Sequence, residues 1–129
     1  MTPDQVQARW DRQTDAENNA DVALRVMGWR TREVFGTVLG WESPLGVKQT
    51  YPSHYTTDHN HAHEALATFS GEGWMWFVSQ GGCSIHRGIE LSPGDWDEDW
   101  VVRAKLAVTP AAISLACLMA MECEENADY

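Results

Sequence analysis

The segment that most constrains the fold of this chain runs from Thr109 to Cys123. Thr109-Pro110 is a helix opening, a hydroxyl cap followed by proline at the first helical position. From Ala111 to Met121 only Ser114 is polar. On a helical wheel Ile113, Cys117 and Ala120 fall on one side, while Leu115, Leu118 and Met119 occupy the others. A surface helix shows a polar face, so this one must be enclosed. Two arrangements enclose it. Either it lies in the middle of its own domain, or one side packs on a sheet and the other on a second copy, which makes the 110–123 helix a candidate homodimer contact. It does not read as a membrane span. The uncharged run from Leu106 to Met121 is 16 residues long and contains Pro110, against the ~20 residues a bilayer requires.

The other elements follow from caps, periodicity and turns. Thr2-Pro3 opens a short polar helix over residues 3–14, with Val6 and Trp10 at i, i+4. A second start at Thr14 or Asp15 leads into Ala16, Ala20, Ala23, Leu24 and Met27 at helical spacing, ended by Gly28. Trp29–Leu39 is rich in Val, Thr and Phe, with a break at Gly36, and reads as strand. Glu42–Gly46 is a turn and Val47–Tyr51 a short strand. Thr57 or Asp58 caps a helix to about Phe69, with Ala62, Ala65, Leu66 and Phe69 forming one apolar stripe. Trp74–Ser79 reads as a central strand, joined through Gly81-Gly82 to Cys83–Arg87. Ser92–Asp95 is another turn, and Trp100–Ala107 a last strand. Helices this apolar must bury a face on the sheet. The expected fold is α+β: an antiparallel sheet of about five strands packed with three helices in a layered α/β sandwich. At 129 residues and 43% hydrophobic content one core suffices. The expected organisation is a helical extension at 1–14, a single domain at 15–123 and a polar tail at 124–129.

Three pieces in this order resemble small bacteriophage proteins of the phage ABA sandwich domain family. They are Val26-Met27-Gly28-Trp29 ending one helix, Tyr55-Thr56-Thr57-Asp58 opening a second through His63-Glu64-Ala65-Leu66, and Thr109-Pro110-Ala111-Ala112-Ile113-Ser114-Leu115-Ala116 opening a third. A Gly-Trp-x-x-Pro-x-Gly turn from Gly40 to Gly46 adds to the likeness. The resemblance covers about Asp15 to Met121. It departs in the N-terminal extension, the histidine-rich second helix and the apolar final helix. It implies a layered α+β domain encoded by a phage and assigns no reaction.

Charge narrows the partners. The net charge is -10, and residues 90–129 hold nine acids against Arg103 and Lys105. Such a surface repels nucleic acid and anionic membrane and favours basic partners, although acids also serve solubility. Cys83, Cys117 and Cys123 form no CxxC pair, so free buried thiols and a reducing compartment are expected. Nothing after Met1 has the basic and apolar regions of a signal peptide. The host cytoplasm is the expected location.

Two clusters are candidate sites. Asp95, Trp96, Asp97, Glu98, Asp99 and Trp100 put four acids and two indoles in six residues, a set that anchors on Arg or Lys if exposed. The plainer alternative is that the two indoles cover the core while the acids face water. His54, His59, His61 and His63 lie within ten residues, beside Asp58 and Glu64. At about 100° per residue, His59 and His63 sit ~40° apart and are the candidate metal pair, whereas His61 falls ~160–200° away. A third ligand would have to come from His54, His86 or Cys83. The expected function is therefore a phage-encoded accessory protein, not an enzyme and without a cofactor, that blocks a basic host target such as a nucleic-acid-binding defence component. It would not itself bind nucleic acid. The alternatives are a protein that sequesters a nucleotide-like ligand between subunits with Arg25, Arg30, Arg32 or Arg87 and tryptophans, a metal-dependent hydrolase on His59 and His63, and a structural role in the virion.

Overall fold

The computed structural model describes residues 1–70, 73–80, 82–87, 90–92, 95–96 and 101–123; for 90–92, 95–96 and 101–105 the backbone alone is described. Four helices form where capping residues stop orphan N–H groups from facing nothing. Helices α1 (Pro3–Arg12) and α2 (Asp15–Arg25) each open with a full capping box, Thr2 with Gln5 and Thr14 with Glu17. Helix α3 (His59–Ala67) is capped by Asp58, whose carboxylate accepts the N–H groups of Asn60 and His61. Those bonds, chiefly the one from His61, hold the Asp58 carboxyl below its ordinary range. Helix α4 (Pro110–Glu122) is capped by Thr109, which accepts the Ala112 N–H at 3.1 Å.

The strands do not make one sheet. Strands β1 (Arg30–Val34), β2 (Thr37–Glu42) and β3 (Lys48–Gln49) form one antiparallel sheet in the order β1-β2-β3. Strands β4 (Trp74–Ser79), β5 (Gly82–Arg87) and β8 (Val101–Leu106) form a second, in the order β4-β5-β8, and β6 (Glu90–Ser92) pairs with β7 (Asp95–Trp96) in a ribbon. The α+β class holds, but the five-stranded sheet with three helices is corrected to two three-stranded sheets, a ribbon and four helices among the described residues. The reason lies at β3. Only Trp41↔Gln49 and Glu42↔Lys48 pair before the chain reaches Pro52, which has no N–H to continue the ladder. The next strand then starts a new hairpin. Strand β4 is an edge rather than the centre, because β8 returns to the other side of β5. That return requires Gly82, at φ +133°, where a Cβ would sit 2.5 Å from the Leu106 carbonyl oxygen.

Helix α4 lies at the centre, packed by α1, α2, α3, β5 and β8. Every residue from Ile113 to Ala120 is buried. One chain thus encloses the apolar helix, and its exposed large apolar side chain is Met121. Helix α1, outside the segment that resembles the phage family, contributes Val6 to the core. It also sends Arg9 to Asp21 (3.4 Å) and to Glu122, while Arg25 reaches Glu122 at 2.7 Å. The bond to Glu122 is the main reason the Arg9 pKa is raised. One of the nine C-terminal acids is therefore neutralised internally by two arginines. The three cysteines are buried and form no disulfide; burial pushes the Cys83 thiol to about 11 and the Cys117 thiol up as well. The tail at 124–129 lies outside the described residues.

Candidate functional site: a cleft at the start of helix α2

A cleft of about 470 Å³ opens where three distant stretches of chain meet. The first turns of α2 supply Asp15, Ala16, Glu17, Asn19 and Ala20; β2 supplies Trp41; the segment before α3 supplies Tyr51, Pro52, His54, Thr56 and Thr57. Its size is that of a small-molecule site, typically ~300–1,000 Å³.

Each wall is held by a local cause. Trp41 is fixed by its register between Thr31 and Gln49 and is itself buried. Asn19 Oδ1 accepts the Thr56 N–H at 2.9 Å in a buried bond that ties α2 to the segment before α3. The Ser114 hydroxyl donates to the Tyr55 carbonyl at 2.6 Å, fastening the same segment to α4 from behind. Burial also raises the Tyr55 hydroxyl pKa. The His54 N–H donates to His61 Nδ1 at 3.1 Å, and the two rings stack with centroids 6.4 Å apart. The Thr56 hydroxyl is buried without a hydrogen-bond partner among the described residues.

The cleft is lined mainly by carbon: indole, phenol, imidazole, proline and alanine, with the carboxyl groups of Asp15 and Glu17, the Asn19 amide and the Thr56 and Thr57 hydroxyls among them. Among the described residues the lining contains no lysine or arginine. At the α2 N-terminus, Thr14 Oγ1 accepts the Glu17 N–H and the Glu17 carboxylate bonds back to the Thr14 N–H, which keeps that carboxylate at the mouth of the cleft. A phosphate would meet carboxylates here. A neutral or cationic aromatic group would meet flat apolar walls and a negative rim.

The sequence-selected residues lie elsewhere. His59 and His63 do share a face of α3, with centroids 6.1 Å apart, and both are exposed. His61 turns to the other flank and pairs with His54. No third ligand joins His59 and His63: no group of three or more His, Cys, Asp or Glu side chains suited to a metal occurs among the described residues. His86 bonds Ser84 at 3.0 Å, and burial lowers its pKa. Of the acidic segment, Asp95 and Trp96 have backbones paired in the ribbon as Ser92↔Asp95 and Glu90↔Trp96, while Asp97, Glu98, Asp99 and Trp100 lie outside the described residues. Of the four arginines considered for a nucleotide, Arg25 is tied into the ion cluster on Asp21 and Glu122, Arg87 lies 4.6 Å over the Trp74 ring, and Arg30 and Arg32 stand on exposed β1. None lines the cleft. Sequence reasoning missed the cleft because its walls come from three separate segments. The one local trace is Trp41, just before the turn that ends at Gly46, with Tyr51-Pro52 shortly after. No family model, curated protein or solved structure matches the chain.

Proposed function

We propose that this chain is a phage-encoded, non-enzymatic binding protein that takes an uncharged or cationic aromatic group into the cleft between α2, Trp41 and Tyr51. The phage setting rests on the resemblance carried by the Gly40–Gly46 turn and the three helix ends. The observation that carries the binding role is a cavity of about 470 Å³ with aromatic walls, lined by the carboxyl groups of Asp15 and Glu17 and, among the described residues, by no lysine or arginine. The group can be a free ligand that is sequestered or a side chain of a protein that is blocked. For the free ligand, the expectation moves from nucleotide to base or nucleoside. Titration with adenosine and tryptamine should raise the melting temperature, and adenosine monophosphate should do so far less, because its phosphate would face Asp15 and Glu17. Trp41→Ala should abolish the response. Equal binding of nucleoside and nucleotide, or no response to any of the three by a form of the chain whose cleft is open, rejects this reading.

A second reading is favoured by the net charge of -10: occlusion of a basic host target in the host cytoplasm, with Asp95–Trp100 as the contact. Affinity for such a target should fall steeply with salt, and a flat salt response removes this reading.

A further inference from the structure

The cleft asks for an aromatic group, and the same molecule displays one. The turn between β1 and β2 holds Phe35 at φ 51° and 102% exposed, beside Gly36 at φ 79°. The two-residue turn closing the Val34↔Thr37 pair holds both central residues at positive φ, and it projects the Phe35 ring into solvent with nothing to pack against. Val34, Val38 and Leu39 around it are also exposed. Patches of this kind mark contact surfaces.

The charges are complementary too. The first sheet, residues 30–49, carries Arg30, Arg32 and Lys48 against Glu33 and Glu42, a net +1 in a chain of net -10, so the remainder is -11. Arg30 and Arg32 stand on β1, in the hairpin that carries Phe35 at its tip, and Asp15 and Glu17 line the cleft. Tyr51 belongs to the cleft and is itself an exposed aromatic.

We infer that the occupant of the cleft is Phe35 of a second copy of this chain, the two copies exchanging their hairpins reciprocally about a two-fold axis. This rests on the proposed reading of the cleft as an aromatic receptor. A reciprocal contact closes, so the assembly stops at a dimer. Arg30 and Arg32 of each copy then approach Asp15 and Glu17 of the other, and added salt weakens the dimer.

Sedimentation equilibrium of the full chain tests this. Wild type should be a dimer, and Phe35→Asp a monomer with unchanged circular dichroism, since the side chain touches nothing in the monomer. Loss of a buried aromatic anchor of this kind should weaken association by at least about 30-fold. Ala16→Trp, which fills the cleft, should also give a monomer. Mixing the two variants leaves one intact Phe35 and one open cleft, so a heterodimer should appear where neither variant self-associates. A monomeric wild type, a dimer indifferent to Phe35→Asp, a mixture that stays monomeric, or assemblies that grow without limit each overturn the inference. Adenosine titration of Phe35→Asp keeps the two proposals apart. Binding by the monomeric variant leaves the receptor reading standing whatever the fate of the dimer, and no binding by either form rejects the receptor.

Discussion

Single residues in this protein matter through what they leave unpaired. Ser114 is the one polar residue in the buried stretch Ile113–Ala120 of α4, and its hydroxyl serves the Tyr55 carbonyl behind the cleft. Ser114→Ala leaves that acceptor buried and alone, which should cost about 1–3 kcal/mol in chemical denaturation and loosen the segment bearing His54 and Thr56. Cys83 behaves in the opposite sense. Its folded pKa, about 11, lies above the ordinary value of 9.0, so the folded state holds the proton more tightly than the unfolded state. That stabilising share is fully present below pH 9 and is lost as pH rises toward 11. At pH 8 all three buried thiols should react with an alkylating reagent only as fast as the chain opens. Rapid labelling of folded protein would contradict their burial.

At the scale of elements, helix ends and hairpin turns were written locally. Thr2, Thr14, Asp58 and Thr109 all act as caps, and the apolar stripe of α3 buries Ala62, Ala65 and Leu66. Sheet membership was not local. Pro52 and the return of β8 onto β5 divided the strands, and a short strand cannot announce its partner. The histidine pair shows the limit of spacing arguments. Helical geometry brought His59 and His63 together and parted His61 from them, yet two exposed imidazoles make an incomplete coordination set. Elemental analysis of protein purified without chelator should find no stoichiometric zinc, and a His59→Ala, His63→Ala double variant should melt within a degree or two of wild type, as exposed substitutions do. A stoichiometric metal lost in that variant would restore the metal reading.

At the scale of the whole molecule, the dominant facts are an enclosed apolar helix and an uneven charge. Enclosure came from α1, α2, α3, β5 and β8 of the same chain, so a dimer contact has to be sought elsewhere, and the hairpin at Phe35 offers one. The negative remainder of the molecule should keep it from anionic polymers. Retention on a heparin column at low salt is expected to be nil, and retention there would mean that Arg30, Arg32 and Lys48 present a usable basic face.

Sequence alone determined where helices start, that the last helix must be surrounded, that His59 and His63 share a face apart from His61, and that the net charge is strongly negative. Those features depend on neighbours within a few residues or on summed charge, and both are readable along a chain. Only tertiary structure decided that there are two sheets, that Arg9 and Arg25 spend their charge on Asp21 and Glu122, and that Trp41, Tyr51, His54 and Asn19 share one cavity. These depend on contacts between segments tens of residues apart, whose geometry is fixed by how the core packs and leaves no periodic mark on the sequence.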